Sequence, residues 1–377
     1  MERALHALAL PPGPRLAEAV RAALAGEGPA VLPLPPGQAE AAIRALRPTH
    51  VQTPDGVRPS PGGAGVPGEV AVVIATSGST GAPKGVQLSA AALRASAAAS
   101  LRRLEARPGE RWLCCLPPSH VSGLQVLVRA QLSGTDPVIA GRFTPEAVLA
   151  AGAEHVSLVP TQLHRLVELG ADLSGLRTIL LGGAAARPAL LERARELGAR
   201  VVTTYGMSET SGGCVYDGRP LDGVRVKVGG DGRIRIAGPV LMTGYRFAPA
   251  PMEGGWFVTS DLGELDEGRL RVLGRADDVI NTGGEKVVAA QVAAVLAGHP
   301  EVADVAVVGR PDPEWGEVVV AVVVPADPGR PPALRELRAY AKHRLPAYAA
   351  PRELRLLPRL PLLPNGKTDL ATLRNLT

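Results

Sequence analysis

Residues 75–85 read Ala-Thr-Ser-Gly-Ser-Thr-Gly-Ala-Pro-Lys-Gly, and this stretch decides how the rest of the chain is interpreted. An apolar, β-branched run at residues 70–74 precedes it and predicts a buried strand, whereas Ser89 and the Ala- and Leu-rich residues after it predict a capped helix. Glycines let a backbone approach a ligand closely, and hydroxyl and N–H groups donate hydrogen bonds to phosphate oxygens. The stretch therefore predicts a strand–loop–helix element whose loop, together with the positive charge of Lys84, holds a polyphosphate.

The spacing within this loop differs from that of the P-loop in kinases and GTPases. That pattern requires G-x-x-x-x-G-K-[ST]. Counting from Gly78, Pro83 stands in place of the second glycine, and Gly85 stands where the magnesium-binding hydroxyl belongs. A kinase or GTPase is therefore excluded, and a Gly/Ser-rich surface turn remains the alternative at this point.

The composition is that of a globular chain with more than one domain. The 377 residues are 46% apolar and 20% charged, with a net charge of +5. Dense basic runs with interleaved aromatic residues are lacking, which argues against a nucleic-acid partner. The longest apolar run, residues 318–324, is too short to span a membrane, and the first residues do not have the pattern of a signal peptide.

The cysteines indicate a reducing compartment. There are three of them, Cys114, Cys115 and Cys214, and this odd number with two adjacent members fits neither a disulfide framework nor a zinc site. We therefore expect the protein in the cytoplasm.

The pattern of apolar residues and glycines changes twice along the chain. From residue 70 to about 215, apolar runs alternate with helical patterns, which predicts an α/β sheet. Short strands with glycine turns at 223–273 predict an antiparallel β subdomain, and a helix, a strand pair and a second helix after Gly274 predict a small α+β domain. We expect a large N-terminal domain at residues 1–274 and a small, mobile C-terminal domain at residues 275–377.

Residues 203–210, Thr-Thr-Tyr-Gly-Met-Ser-Glu-Thr, form a second block with chemical content. The ring of Tyr205 beside Gly206 can lie against a purine, the Glu209 carboxylate can hold Mg²⁺, and the Thr210 hydroxyl can bind phosphate. Taken alone, the block is equally well an ordinary strand end.

Three further blocks follow in the C-terminal part of the chain. Residues 255–263 read GWFVTSDLG and contain Asp261, residues 274–286 read GRADDVINTGGEK, and residues 364–369 read PNGKTD and contain Lys367. Read singly, the first is a hairpin turn and the last a solvated tail lysine. A positioned cation would, however, offset the negative charge that gathers when a carboxylate attacks a phosphate.

The five blocks, taken in order, closely resemble the signatures of the adenylate-forming superfamily, which includes acyl- and aryl-CoA ligases, luciferases of the firefly type and peptide-synthetase adenylation domains. The resemblance implies the adenylate-forming fold and a two-step reaction through an acyl-adenylate, with ATP, Mg²⁺ and coenzyme A as co-substrate. It implies catalytic roles for Lys367, Lys84, His120 and Glu209, with Glu209 as the magnesium ligand. It also implies a hinge at Asp277 and a coenzyme A face at Gly283 and Gly284. The residues that it assigns to ATP and AMP are Thr76, Ser77, Gly78, Ser79, Thr80, Gly81, Tyr205, Gly206, Thr210, Asp261 and Arg275.

Three shorter stretches resemble the o-succinylbenzoate–CoA ligases of menaquinone biosynthesis within that superfamily. They are His-Val-Ser-Gly at 120–123, Ser-Leu-Val-Pro-Thr-Gln-Leu at 157–163 and Leu-Leu-Gly-Gly-Ala-Ala at 180–185. The resemblance implies that the acid substrate is o-succinylbenzoate and that His120 lines the acyl pocket, although a lone histidine is more often structural. The pocket residues that it implies are His120, Ser122, Thr161, Gly182, Gly183 and Met207.

The chain also departs from the superfamily pattern. The region before the first loop is shorter than usual, and Ser208, Ser260, Ala289 and Gln291 replace the commoner Thr, Gly, Pro and acidic residue. Two alternatives stay open, namely the same chemistry on another aryl or acyl acid and a non-catalytic nucleotide-binding relic. A homodimer is also left open.

Overall fold

The structure, a computed structural model, describes residues 2–37, 39–77, 83–141, 143–362 and 368–377. Its contacts divide the chain into two compact units. The first comprises Met1–Val226 and Ile236–Phe257, and the second comprises Lys227–Arg235 and Val258–Thr377. The domain boundary at residue 274 and the hinge near Asp277 stay predictions.

The helices of the described residues are α1 Pro14–Ala25, α2 Glu40–Leu46, α3 Ala90–Leu104, α4 Val121–Leu132, α5 Pro145–Ala150, α6 Pro160–Glu168, α7 Pro188–Glu196, α8 Ala289–Leu296, α9 Leu334–Lys342 and α10 Leu370–Leu376. Single turns of 3-10 helix occur at Ser208–Thr210, Ala276–Asp278 and Ala347–Ala349.

The strands of the first half of the chain are β1 Glu2–Arg3, β2 Leu5–Leu8, β3 Ala30–Pro33, β4 His50–Thr53, β5 Gly56–Pro59, β6 Val66–Pro67, β7 Val70–Ser77, β8 Pro83–Ser89, β9 Trp112–Cys114, β10 Val138–Ile139, β11 His155–Leu158 and β12 Thr178–Leu181. The strands that follow are β13 Val201–Met207, β14 Gly212–Tyr216, β15 Arg219–Pro220, β16 Arg225–Val228, β17 Arg233–Ala237, β18 Gly244–Arg246, β19 Met252–Glu253, β20 Trp256–Asp266, β21 Arg269–Arg275, β22 Val279–Thr282, β23 Glu285–Val288, β24 Val302–Asp312, β25 Gly316–Pro325 and β26 Glu353–Leu356.

The first unit contains the predicted α/β sheet. Its strand order is β10-β9-β11-β12-β13-β14-β15, in which the first five strands are parallel and the last two antiparallel. The buried strands are rich in Val, Ile and Leu because helices cover such a sheet on its faces. Leu113, Val156 and Ile179, one from each of three neighbouring strands, are at most 1% exposed in the resulting core.

The second sheet of this unit corrects the predicted strand–loop–helix element. Its order is β18-β8-β7-β3-β2-β4-β5, and β8 pairs antiparallel with β7, from Val70 opposite Ser89 to Ser77 opposite Pro83. A second strand therefore lies between the phosphate-loop sequence and α3, because Val86 and Leu88 are buried on the sheet. The predicted cap of α3 is confirmed, since the Ala92 amide donates to Ser89 Oγ over 3.0 Å.

The second unit contains antiparallel β structure and an α+β region, as the sequence predicts. Hairpin β20–β21 pairs Asp261 with Arg275. The long hairpin β24–β25 forms the centre of a five-stranded sheet with β22, β23 and β26. Helices α8 and α9 pack on one face through Leu296 and Leu337, and α10 packs on the other through Leu373.

Candidate active site

The predicted pocket residues meet at one edge of the parallel sheet. Because β9, β11, β12 and β13 are parallel neighbours, the residues that follow their last positions lie at the same carboxyl edge, where open α/β sheets bind ligands. The predicted residues found there, in the order of these strands, are His120, Ser122, Thr161, Gly182, Gly183, Met207 and Glu209. The sheet therefore brings together residues from four separate stretches of sequence.

His120 and Ser122 lie at the start of α4. The His120 amide donates to Pro117 O over 3.0 Å, and both side chains are exposed. Gly123 is needed behind them, since a Cβ atom there would lie 2.4 Å from Pro117 O. Thr161 is likewise exposed, in the first turn of α6. This placement agrees with a pocket role for His120, and the role itself stays a prediction.

The glycines of this edge have structural reasons of their own. A Cβ on Gly182 would lie 2.5 Å from Thr204 Oγ1, and one on Gly206 would lie 2.1 Å from Gly212 O. Gly183 has a φ of +86°, which favours glycine. These positions would therefore be glycine even without a ligand. Tyr205 is half-buried beside them on β13, where the β13–β14 register shifts.

Glu209 lies in the middle of the 3-10 turn Ser208–Thr210. The side chain of Thr210 stabilises this turn. The Thr210 hydroxyl donates to Gly212 O over 2.7 Å and accepts from the Met207 amide over 2.9 Å, and Thr210 is fully buried. In the described geometry this hydroxyl stabilises the turn. Its predicted contact with a phosphate stays a prediction.

Buried polar side chains from two helices hold the residue after this turn. Ser96 Oγ on α3 and Gln125 Nε2 on α4 donate to Ser211 O over 3.0 and 2.7 Å, and Ser211 Oγ donates to Val240 O over 2.8 Å. Since a buried carbonyl without a hydrogen bond is costly, this network fixes the position of the Glu209 backbone.

Lys84 and Glu209 are brought together by Tyr245, a residue that the sequence reasoning missed. The Tyr245 hydroxyl donates to Glu209 Oε1 over 2.8 Å. Lys84 Nζ lies 5.9 Å from the centre of the Tyr245 ring, within the range of a cation–π contact. Tyrosine is rare here, with five in the chain, and this scarcity is the signal that could have drawn attention to it.

The phosphate-loop sequence is described only at its ends. Thr76 lies on β7, where its hydroxyl donates to Lys84 O over 3.4 Å, and Ser77 ends the same strand. The predicted residues that lie outside the described residues are Gly78, Ser79, Thr80, Gly81 and Lys367.

The predicted ribose and hinge residues of the second unit form one charged cluster. Arg275 Nη2 donates to Asp277 Oδ2 over 3.0 Å, and Arg275 Nη1 lies 3.8 Å from Asp261 Oδ1. Burial lowers the pKa of the Arg275 guanidinium, but the two aspartates and Asp278 outweigh it and raise that pKa overall. The arginine therefore stays charged beside the carboxylate that we expect at the ribose.

Gly283 and Gly284, the predicted coenzyme A face, form the turn between β22 and β23. Their φ angles are +59° and +83°, which only glycine adopts readily. The Gly283 amide donates to Trp315 O over 2.8 Å, and a Cβ atom on Gly283 would lie 2.8 Å from the Trp315 ring. The turn is thus held against an indole.

The donor set suits magnesium bound through a nucleotide. Within the described part of the chain, no group of three or more His, Cys, Asp or Glu side chains could hold a metal ion. Mg²⁺ usually takes one or two carboxylates, with phosphate oxygens and water completing its octahedron. A single carboxylate, Glu209, fits a magnesium ion that arrives with ATP.

The comparisons with known proteins place the chain in a family. The AMP-binding enzyme family matches residues 18–246, and the AMP-binding enzyme C-terminal domain matches residues 291–367. The chain belongs to the AMP-binding enzyme family, and its fold is that of the adenylate-forming enzymes.

Among its relatives, the probable 2-succinylbenzoate–CoA ligase of Mycobacterium tuberculosis is 44% identical, over 98% of this chain and 97% of that protein. The o-succinylbenzoate CoA synthetase MenE from Bacillus subtilis, solved with the acyl-adenylate intermediate OSB-AMP, is 30% identical. That match covers 99% of this chain and 87% of MenE, with a TM-score of 0.83. The same enzyme in complex with ATP and a magnesium ion is also 30% identical with a TM-score of 0.83, over 99% and 88% of the two chains. The predicted resemblance is confirmed.

Proposed function

We propose that this protein is an ATP-dependent acid–thiol ligase that joins o-succinylbenzoate to coenzyme A in menaquinone biosynthesis. The products are o-succinylbenzoyl-CoA, AMP and pyrophosphate, and ATP, Mg²⁺ and coenzyme A are the co-substrates. The observation that carries the proposal is the match along 99% of the chain to an enzyme solved with OSB-AMP, the intermediate of this reaction.

In the first step, a carboxylate oxygen of the acid forms a bond to the α-phosphorus of ATP, and the bond to the pyrophosphate oxygen breaks. Both reactants are anionic, so positioned cations must offset their repulsion. We assign one charge to Lys84, which lies on β8 beside the Tyr245 ring, and another to Lys367. Glu209 would hold a Mg²⁺ ion that arrives with the nucleotide, and that ion would supply positive charge to offset the phosphates. We assign Asp261 and Arg275 to the ribose.

In the second step, the thiol sulfur of coenzyme A bonds to the acyl carbon, loses its proton, and AMP leaves with the electron pair of the broken C–O bond. We assign the approach of the thiol to the turn at Gly283 and Gly284, and the change between the steps to a rotation at Asp277. We assign His120, Ser122, Thr161 and Met207, at the carboxyl edge, to the acyl group.

The cellular setting that we propose is the cytoplasm, where ATP and coenzyme A are available. The three cysteines are unpaired and buried, and burial raises the pKa of each thiol to about 12, so all three are poor nucleophiles. No helix within the described residues has the length and apolar character that crossing a membrane requires. A homodimer stays a prediction.

The test is pyrophosphate release with ATP and Mg²⁺ across a panel of acids, with and without coenzyme A. The panel contains o-succinylbenzoate, benzoate, cinnamate and a fatty acid. We expect strong release with o-succinylbenzoate and formation of its coenzyme A ester once coenzyme A is added. Release with a different acid would retain the ligase chemistry and overturn the substrate. If folded protein released no pyrophosphate with any acid of the panel, the non-catalytic nucleotide-binding relic would be favoured.

A further inference from the structure

Tyr245 is fixed in place by backbone bonds on the segment that leads to it. The Met242 amide donates to Glu209 O over 2.8 Å, and the Thr243 amide donates to Gln87 O over 2.9 Å. Tyr245 itself then pairs with β8 as part of strand β18. The segment thus joins the Glu209 turn to the strand of Lys84 without help from the tyrosine side chain.

The Tyr245 side chain contacts two residues that we place at the nucleotide. Its hydroxyl donates to Glu209 Oε1 over 2.8 Å, and its ring centre lies 5.9 Å from Lys84 Nζ. The ring is half-buried, so the contact with the ammonium is partly shielded from water. One side chain therefore restricts both an anion and a cation.

The bond to Glu209 is not needed to hold the turn. The Thr210 hydroxyl and the Met242 amide already fix the backbone there, and Ser96 and Gln125 fix Ser211. What the tyrosine hydroxyl adds is the orientation of the Glu209 carboxylate. A glutamate side chain that is already held in one rotamer loses less conformational entropy when it binds a metal ion.

We propose that Tyr245 is a positioning residue for the metal–nucleotide complex, whose hydroxyl orients the Glu209 carboxylate toward Mg²⁺ and whose ring directs the Lys84 ammonium. This inference rests on the proposed function, because that function makes Glu209 the metal ligand. Hydrogen-bond partners of metal-binding carboxylates typically contribute about 10- to 100-fold to metal affinity.

The test compares Tyr245→Phe with the wild type and with Tyr340→Phe. The control tyrosine is also half-buried, and its hydroxyl donates to Gly298 O over 2.7 Å in the second unit. Mn²⁺ binding is measured by electron paramagnetic resonance in the presence of α,β-methylene-ATP, which does not react. We expect about 10-fold weaker Mn²⁺ binding in Tyr245→Phe and wild-type binding in Tyr340→Phe.

A second comparison separates positioning from general stability. In a Glu209→Gln background, Tyr245→Phe should weaken Mn²⁺ binding no further, because the tyrosine acts through that carboxylate. Tyr245→Leu, which also removes the ring, should additionally raise the KM for ATP through Lys84. Unchanged Mn²⁺ binding in Tyr245→Phe, or an equal loss in both backgrounds, would overturn the positioning role and leave the proposed function intact. A wild type that binds no Mn²⁺ with the nucleotide would instead count against the proposed function.

Discussion

At the scale of single residues, the Thr210 hydroxyl has two possible roles, holding the turn or binding phosphate, and one pair of variants distinguishes them. If its hydroxyl chiefly holds the turn, Thr210→Val leaves the Met207 amide without its acceptor and destabilises the protein by about 1–3 kcal/mol. Thr210→Ser keeps the hydroxyl and should be close to the wild type in urea unfolding. A Thr210→Val protein of wild-type stability with a raised KM for ATP would instead indicate a direct phosphate contact.

The roles of residues within a recognised motif could be predicted from the sequence. The roles of residues whose contacts join distant parts of the chain were missed. Lys84, Glu209 and Asp261 stand in recognisable blocks. Tyr245 and Arg246 stand in no block that the sequence reasoning used, and their partners lie far away along the chain. Spacing along a sequence carries no signal for such contacts, since they arise when β18 pairs with β8 and the segment before β18 bonds to the Glu209 turn.

At the scale of elements, Arg246 connects strand β18 to the end of helix α2. Its guanidinium donates to four backbone carbonyls, those of Leu46, Arg47, Ala64 and Gly65, and the residue is 5% exposed. Two of these carbonyls, those of Leu46 and Arg47, lie at the end of α2, where helix carbonyls are left unpaired and attract cations.

Replacing this arginine should therefore destabilise the first unit. Arg246→Met keeps most of the stem but removes the guanidinium donors from the buried Leu46 carbonyl and the part-buried Ala64 and Gly65 carbonyls, and we expect a loss of about 3 kcal/mol in urea unfolding. Arg335→Met is the control, because Arg335 is exposed on α9, and it should change stability by less than about 0.5 kcal/mol. Equal stability of the two variants would contradict the connecting role.

At the opposite edge of the parallel sheet, the buried side chain of His155 makes stability depend on pH. His155 begins β11, stacks on Trp112 with ring centres 4.5 Å apart, and its Nε2 lies 2.9 Å from Glu110 Oε2, while Arg177 donates to the other oxygen of that carboxylate. Burial lowers the pKa of the His155 imidazole, and Glu110 only partly opposes that shift. Trp112, Glu110, Arg177 and Glu154 are the groups around it.

This arrangement predicts a loss of stability in mild acid. As pH falls below about 6.5, the unfolded state binds a proton that the folded His155 resists, so unfolding becomes more favourable. The melting temperature should therefore fall more steeply between pH 7 and pH 5 in the wild type than in His155→Phe. The exposed His343→Gln should follow the wild type. A His155→Phe curve parallel to the wild type would contradict this account.

At the scale of the whole molecule, the sequence predicted the succession of α/β, antiparallel and α+β regions, and it did not predict where contacts divide the chain. This succession could be predicted because each region has its own local periodicity of apolar residues. The division at Phe257 and Val258 falls inside β20, where the residue pattern continues unchanged. Similarly, the apolar run before the phosphate loop predicted β7, but the short alternation at 84–88 did not separate a second strand from the start of α3.

The last prediction concerns the whole molecule, because it separates the residues needed for adenylation from those needed for thioester formation. The proposed function assigns Lys367 to charge neutralisation in adenylation only, since thioester formation releases AMP and transfers no phosphate. Lys367→Ala should then lose about 100-fold or more in pyrophosphate release, the size of effect seen when one stabilising group is removed from a transition state. The same variant, given preformed o-succinylbenzoyl-AMP and coenzyme A, should form the thioester at a rate near that of the wild type.

Lys342→Ala is the matched control for this experiment, because Lys342 is an exposed lysine at the end of α9 in the same unit. It should leave both half-reactions unchanged. Equal loss of both steps in Lys367→Ala would show that the lysine supports the whole site and not adenylation alone. That result would remove the reason for proposing a rotation at Asp277 between the two steps.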